Sequence, residues 1–446
     1  MNRATHAVLS VVFSAASAGA TSAQPAPSSP DRYTLIHCGH LITDARNPAR
    51  DKATIVVKND RIDTISDGVT GPDMAAQKAA GATVVEIDLS HAWVLPGLID
   101  CHVHLTNVFD KDIRARAVRD SDEMTTLRCA KNAEVTVEAG FTTVRDLGAE
   151  PSVIFAVRDA SNEGLIPGPR IIAAGHAITV TGGHADFTLG YKPGLFPVQT
   201  PQDGVADGPD ECAKAVRNQI KLGADVIKLT ATGGVLSAAA TGTGKHFTDA
   251  ELAAIISTAH SLGRKAAAHA HGVDGINAAL RAGIDSIEHG SFLDDESIKL
   301  FKEHGAYHVP TLLAGATVAA NAQIPGFYPR MVVPKALDIG PRAMEAFRKS
   351  HAAGVKIAFG TDTGVSPHGE NAKEFALMVQ GGMTPAEAIT AATVNAADLL
   401  GVTKETGTIE AGKAADIIAV SADPTKDVTE LERVKFVMAR GKVVRR

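Results

Sequence analysis

Two histidines stand two residues apart in the stretch DCHVH. On a strand, side chains with this spacing point to the same face, so His102 and His104 could hold one ion together. Three more residues with nitrogen or oxygen donors close later strand-like runs: His269 in AAAHAHG, His289 in SIEHG and Asp362 in FGTDTG. Such donors suit zinc or a similar divalent ion and leave room for water. The sequence therefore predicts a metal site built from strand ends.

Lys228 lies in GADVIKLTATGG, an apolar run that is typical of a buried strand. Burial of an ammonium group is costly and lowers its pKa, which favours a neutral amine that can react with carbon dioxide to form a carbamate. The other interpretation is a side chain that reaches solvent or forms a buried ion pair.

Further polar residues could contact a substrate. His271 lies two residues after His269 and would face the same way, and His184 follows a Thr-Gly-Gly turn. Either could donate a hydrogen bond to a carbonyl oxygen, bind a carboxylate, or only satisfy loop carbonyls. The stretch TATGGVLSAAATGTG lacks the Gly-Lys-Ser/Thr ending of a phosphate loop, so an active-site loop is expected there. Weaker candidates for substrate binding are Lys245, His246 and Tyr328.

Eight strand-like runs alternate with amphipathic helical windows in the central region. They are GLIDCHVHL, GFTTVRDLG, PRIIAAGHAIT, ADVIKLTATGG, RKAAAHAHG, IDSIEHGSF, AYHVPTLL and GVKIAFGTDTG. This pattern predicts an α/β fold, a (β/α)8 TIM-type barrel over residues 96–404, in which functional side chains lie at the carboxyl ends of the strands. A doubly wound open sheet is the rival architecture. Within the barrel, Arg145 is expected to form an ion pair with Asp146, and His176 is expected to be structural.

Both ends of the chain carry short alternating runs separated by turn residues, and they predict one small β-sandwich domain built from residues 31–95 and 405–446. Two insertions, 186–210 and 314–335, exceed the usual loop length and carry aromatic residues. They are interpreted either as lids over the site or as subunit contacts.

Residues 1–23 have a basic start, a short apolar core and small residues at the end, which predicts a signal peptide cleaved near Ala23 and an exported protein. A floppy N-terminus is the other interpretation, and residues 24–30 form the predicted linker. No segment approaches the roughly 20 apolar residues of a membrane span. The four cysteines, Cys38, Cys101, Cys129 and Cys212, stand in apolar contexts, so buried free thiols are expected.

The bulk composition agrees with an enzyme of ordinary size. The chain has 446 residues, is 45% hydrophobic and carries a formal net charge of −6. Its 44 basic residues are scattered and form no basic stripe, which argues against a nucleic-acid partner. A small-molecule substrate is the expected partner.

Together these motifs resemble the amidohydrolase superfamily, whose pattern is His-x-His on strand one, lysine on strand four, histidines on strands five and six, and aspartate on strand eight. The stretches PGPRIIAAGHAIT, TGGHAD, VIKLTATGG and AAAHAHG are similar to a branch with Xaa-Pro dipeptidases, N-acyl amino acid carboxypeptidases and ochratoxin-hydrolysing amidases. The resemblance implies that His102, His104, Lys228, His269, His289 and Asp362 hold two divalent ions, that carboxylated Lys228 bridges them, and that the chain forms a homo-oligomer.

The resemblance also implies a reaction: hydrolysis of an amide bond that releases a C-terminal amino acid, with Asp362 accepting a proton from water and passing it to the leaving amine. Two other hypotheses stay open. One is a mononuclear deaminase or a cyclic-amide hydrolase of the imidazolone type, against which Lys228 argues because one metal needs no bridging anion. The other is a non-catalytic barrel that serves as a binding module.

Overall fold

A computed structural model describes residues 30–69, 73–107, 110, 112–237 and 242–446 of the chain. The predicted signal peptide and nearly all of the linker lie outside the described residues. The strands are β1 (Arg32–Leu41), β2 (Arg50–Lys58), β3 (Arg61–Asp67), β4 (Thr83–Pro96), β5 (Leu98–Val103), β6 (Phe141–Asp146), β7 (Arg170–Ala173), β8 (Val226–Thr230), β9 (Lys265–Ala270), β10 (Ser286–His289), β11 (Tyr307–Val309), β12 (Lys356–Ile357), β13 (Ile417–Val420), β14 (Phe436–Ala439) and β15 (Lys442–Arg445).

Most helices lie between the strands β5 to β12 and after them. They are α1 (Ala75–Ala79), α2 (Ile113–Arg119), α3 (Asp122–Glu138), α4 (Pro151–Glu163), α5 (Pro209–Leu222), α6 (Asp249–Ser261), α7 (Val273–Arg281), α8 (Asp295–His304), α9 (Leu312–Ala322), α10 (Val333–Ala352), α11 (Lys373–Gln380), α12 (Pro385–Thr390) and α13 (Ala396–Leu400). A π-helical segment at Ala391–Asn395 and a 3-10 helix at Val428–Arg433 complete them. Local sequence sets several ends: Thr248 and Glu251 form a capping box at the start of α6, and Gly223 ends α5 in a left-handed conformation.

Strands from both ends of the chain form one seven-stranded sheet in the order β15-β14-β13-β4-β1-β2-β3. The alternating runs at the two ends of the chain predict such a domain, with strands from both ends. Strand β4 lies in the middle, pairing in parallel with β1 and antiparallel with β13. The described strands of this region form a single hydrogen-bonded sheet, so the predicted sandwich of two sheets is not confirmed.

The remaining eight strands form two parallel sheets, ordered β5-β6-β7 and β12-β11-β10-β9-β8. Backbone hydrogen bonds connect these sheets at two places. The amide of Asp362 donates to the carbonyl of His102 at 2.7 Å, and the amide of Ile178 donates to the carbonyl of Lys228 at 2.8 Å. Each of the eight predicted runs contains one of these strands, and the α/β class is confirmed.

The second insertion differs from a simple loop, because its first part is helical. Helix α9 covers residues 314–322 of the insertion and packs against α10, where Gly315 and Gly340 allow close approach of the two backbones. The four cysteines are buried and free, as expected. In the described ranges, no helix is long and apolar enough to cross a membrane.

Candidate active site

Ligand-type side chains gather in two groups at the carboxyl ends of the parallel strands. In one group, donor atoms of His102, His104 and Asp362 lie within 4.8 Å of one another, and in the other the same holds for His269, His271 and His289. The groups adjoin, since the ring centroids of His102 and His289 are 5.1 Å apart. The strand-end histidines and aspartate predicted from the sequence therefore come together. The second group also contains His271, which was predicted only as a substrate contact.

Lys228 lies in the middle of β8, close enough to both groups that its charge lowers the pKa of histidines in each. The residue is 3% exposed, and among the described residues its Nζ has no hydrogen-bond partner. Burial lowers the pKa of this amine to about 8. Lys228 therefore neither reaches solvent nor forms a hydrogen-bonded ion pair with a described residue, which were the two other interpretations of its sequence. A buried polar atom without a partner is unfavourable unless something absent from the bare chain contacts it.

Two of the ligand-type residues have backbone conformations that are costly for residues other than glycine. The φ angle is +69° at His289 and +58° at Asp362, both in the left-handed region. Such strain costs about 1–3 kcal/mol per residue and occurs mostly where function requires it. At His289 it interrupts the alternation of the strand, so that both His289 and the preceding Glu288 contact His102.

The buried carboxylate of Glu288 orients the ring of His102. Glu288 Oε2 lies 3.0 Å from His102 Nδ1, and Glu288 Oε1 lies 2.9 Å from Arg145 Nη2. Although burial alone would raise the pKa of Glu288, Arg145 and His102 hold it at about 2. The predicted ion pair between Arg145 and Asp146 is wrong: Arg145 points inward to Glu288, while Asp146 accepts the amide N–H of Leu105.

The hydrogen bonds of the histidines determine which ring nitrogens remain available. Nδ1 of His104 lies 3.0 Å from the carbonyl oxygen of Gly148, which can only accept, so Nε2, 3.2 Å from the Asp362 carboxylate, is the nitrogen left for an ion. Nδ1 of His289 is also occupied, by Thr311 Oγ1 at 2.7 Å, although this hydroxyl can either accept or donate. In His269 the occupied nitrogen is Nε2, which lies 3.4 Å from the carbonyl oxygen of Gly233. Its Nδ1 is therefore the nitrogen that remains available.

At His104 burial is outweighed by the Asp362 carboxylate, which raises the pKa of that ring, but burial keeps the other imidazoles of the two groups neutral. It is the largest cause that lowers the pKa of His102 and of His271 to about 4, and the charge of Lys228 contributes to both shifts. The pKa of His269 and that of His289 are also well below the usual value, first through burial and then through neighbouring histidines. Neutral imidazole is the form that binds metal ions.

A cavity of about 650 Å³ opens above the two groups. One wall is apolar and comes from the loops after β8 and β12, from α9 and from α10. The residues of this apolar wall are Val235, Leu236, Ala314, Val318, Ile339 and Val365. A site with this composition suits an uncharged apolar group next to the polar centre.

His184 and His271 also line the cavity. The ring of His184 stacks on His269 with centroids 4.2 Å apart, and burial, followed by the charge of His271, lowers its pKa to about 3. His271 stacks on His289 at 5.0 Å, and its Nδ1 lies 2.9 Å from Ser291 Oγ. Both rings are placed where a substrate carbonyl or carboxylate could contact them.

The weaker candidates do not line the cavity in the described part of the chain. Lys245 forms an exposed ion pair with Asp249 at 2.8 Å, His246 lies beside Gly183, and Tyr328 packs on an apolar cluster behind Val235. Their role in substrate binding stays a prediction.

Two other residues do line the cavity: His176, which was expected to be structural, and Phe187 of the first insertion. His176 Nε2 lies 3.5 Å from a carboxylate oxygen of Glu150, and the ring of Phe187 contacts that of Phe196 with centroids 5.1 Å apart. The first insertion therefore contributes to the cavity wall. Whether it also moves as a lid stays a prediction.

The family model of the amidohydrolases matches residues 93–444, and the chain belongs to the amidohydrolase family. It is a hydrolytic enzyme of that family. Ochratoxinase of Aspergillus niger is 33% identical over 424 residues, which cover 91% of this chain and 85% of the relative.

Solved structures agree with this assignment. A Xaa-Pro dipeptidase with methionine bound in its active site is 43% identical, with a TM-score of 0.87 over 92% of this chain and 99% of that chain. A prolidase in complex with N-methylphosphonate-L-proline is 28% identical, with a TM-score of 0.82 over 93% of this chain and all of that chain.

Proposed function

We propose that this protein hydrolyses amide bonds with two divalent metal ions, zinc being the expected metal, and releases a C-terminal amino acid from its substrate. The observation that carries this proposal is the buried amine of Lys228, which has no hydrogen-bond partner among the described residues and lies beside two groups of metal-type ligands. One metal ion would need one group, whereas two ions so close together need an anion between them.

The donors present fit such a centre. His102, His104 and Asp362 would hold one ion, and His269 and His289 the other. The Lys228 amine would add to the carbon of carbon dioxide and lose a proton, which gives a carbamate, an anion that offers oxygen donors to metal ions. This modification would replace a partnerless amine by an anion, which supplies the contacts that the buried Nζ lacks.

Ions bound there would supply Lewis-acid activation of a water molecule and of the scissile carbonyl. The side chains of the chain would carry the proton. Asp362, with its carboxylate 3.2 Å from His104 Nε2, would accept a proton from the attacking water and deliver it to the leaving nitrogen. His271 and His184 would donate hydrogen bonds to the carbonyl oxygen as negative charge develops, or bind the substrate carboxylate.

The substrate class follows from the apolar wall and from the relatives. We propose N-acyl amino acids, Xaa-Pro dipeptides and ochratoxin A-like amides, because an apolar acyl group or side chain would contact Val235, Val318 and Ile339. A mononuclear deaminase or imidazolone-type hydrolase is the rival within the family. A non-catalytic module is disfavoured by membership of a family of hydrolytic enzymes.

The wider organisation remains part of the proposal. The eight parallel strands would form the (β/α)8 barrel of residues 96–404, which the hydrogen bonds between the two sheets at Asp362 and Ile178 support. The flanking domain would consist of residues 31–95 and 405–446. We also propose export after cleavage near Ala23, and assembly into a homo-oligomer.

The test is a substrate screen of the zinc-loaded protein with Xaa-Pro dipeptides, N-acyl amino acids and ochratoxin A, followed by detection of the released amino acid. Turnover of at least one class, abolished by Lys228→Ala, is expected. Hydrolysis of cyclic amides, with no release of an amino acid from any of the three classes, would reject the proposal.

A further inference from the structure

Helix α9 begins without the cap that its first residues suggest. Thr311 occupies the N-cap position, where a threonine hydroxyl ordinarily accepts an amide N–H from the first turn. Here the hydroxyl makes no such bond, because Oγ1 lies 2.7 Å from Nδ1 of His289 instead. The backbone of Thr311 is left-handed, with φ +48°, which is costly for a β-branched residue.

A carboxylate from another helix occupies the capping role. Glu374, in α11, is completely buried, and each of its oxygens accepts one amide of the first turn of α9: Leu312 N at 2.9 Å and Leu313 N at 2.6 Å. These are two of the four amides that a helix leaves without intrahelical partners. A carboxylate is also well placed there because the helix dipole is positive at this end.

We propose that Glu374 is a positioning residue of the active site: by capping α9 from outside, it frees the Thr311 hydroxyl to hold His289. Without this carboxylate, Thr311 would shift from its left-handed backbone toward the extended backbone of an ordinary N-cap, and its hydroxyl would accept an amide of the first turn. His289 would then lose the partner that fixes its ring and keeps Nε2 directed to the cavity. This inference rests on the proposed function in one respect, namely that His289 binds a metal ion.

A buried carboxylate could instead serve only the stability of the fold, so the experiment must separate the two roles. Glu374→Gln replaces one accepting oxygen by an amide group that faces a backbone N–H, and Thr311→Val removes the hydroxyl while keeping the shape. The two variants and their combination are compared with the unaltered protein at pH 8.5, above the pKa of about 8 to which burial raises Glu374. Zinc affinity is measured by chelator competition, and thermal unfolding is measured on the metal-free proteins.

Each single variant should weaken binding of one zinc ion about 10-fold, the lower end of what loss of an outer-shell partner costs. The double variant should bind that ion no more weakly than Thr311→Val alone, because both changes remove the same contact. Thermal unfolding should behave differently: Glu374→Gln should lower the Tm whether or not the Thr311 hydroxyl is present.

Unchanged zinc affinity in Glu374→Gln, with only a lower Tm, would overturn the proposal. If Glu374→Gln does not fold, Thr311→Val decides alone: weaker zinc binding with unchanged amide exchange at Leu312 and Leu313 supports it, and faster exchange there shows that Thr311 caps the helix and contradicts it. An unaltered protein that binds no zinc would contradict the proposed function instead, while the non-additive effect on the orientation of His289 could still be seen by NMR of its ring.

Discussion

Nδ1 of His102 lies 3.0 Å from Oε2 of Glu288, at a place where both side chains are at most 1% exposed. The other oxygen of Glu288 accepts from Arg145, which is itself buried. A carboxylate in this position fixes the tautomer of the histidine and strengthens its Nε2 as a ligand. The orientation of His102 in the candidate metal site therefore depends on a buried ion pair between Glu288 of β10 and Arg145 of β6.

Glu288→Gln should weaken zinc binding about 10- to 100-fold, because His102 loses its anionic partner. It should also lower the free energy of unfolding by about 3–5 kcal/mol, since Arg145 stays buried without an opposite charge. Chelator competition and urea unfolding measure the two effects. The control is Glu303→Gln on the exposed face of α8, and equal behaviour of the two variants would refute this role of Glu288.

Asp362→Asn tests the proton transfer. The amide cannot accept a proton from water, so kcat should fall by several orders of magnitude, while most of the bound metal is retained through His102 and His104. Metal analysis and steady-state kinetics on the same preparation check this. A proportional loss of metal and turnover would mean that Asp362 acts mainly as a ligand.

Gly234→Ala tests the position of His184. A Cβ at this position would overlap the ring of His184, so the ring must leave its stack on His269. We expect kcat/KM to fall about as far as in His184→Ala, with zinc content unchanged. The variant that combines Gly234→Ala with His184→Ala should have a similar kcat/KM. A kcat/KM far below that of either single variant would mean that the two changes act separately and that His184 is not the group displaced.

His308 provides a pH-dependent prediction. It is completely buried, Nδ1 lies 2.8 Å from Ser350 Oγ, and Nε2 lies 3.0 Å from the carbonyl of His289. Burial lowers its pKa to about 4 in the folded protein, against about 6.5 in an unfolded chain. Between these values only the unfolded state binds the proton, so this contribution to stability is complete above pH 6.5 and is lost as the pH falls toward 4.

Urea unfolding of the metal-free protein at pH 7, 6 and 5 measures this slope. In His308→Asn the loss of stability per pH unit should be smaller by up to about 1.4 kcal/mol, the value for one proton. His304→Asn, at the exposed end of α8, is the control for replacing a histidine by asparagine. An identical slope in all three proteins would show that His308 does not titrate as described.

Spacing and strand order predict which residues meet, but not how the chain orients them. The strand period of two places His102 beside His104, and the order of the parallel strands brings Lys228 and Asp362 to the same site. The same period places Glu288 on the face opposite His289, and only the left-handed φ of His289 brings both to His102. The sequence does contain a signal for the contact between Arg145 and Glu288. Both are charged residues within apolar strands, as Lys228 is.

The misassigned partner of Arg145 has a related cause. Adjacent charges in a sequence suggest a local ion pair, yet successive side chains on a strand point to opposite faces. Arg145 therefore points inward to Glu288, while Asp146 holds the backbone of Leu105. The cap of α9 by Glu374 joins residues more than 60 positions apart and depends on tertiary packing, which no local pattern in the sequence contains.

The central claim is a centre of two metal ions bridged by carboxylated Lys228, and metal stoichiometry tests it most directly. Metal analysis of the protein prepared with bicarbonate should give two ions per chain. Lys228→Ala should lose metal and turnover, and a short carboxylic acid should partly restore both by replacing the missing anion. One ion per chain, unchanged in Lys228→Ala, would contradict the account.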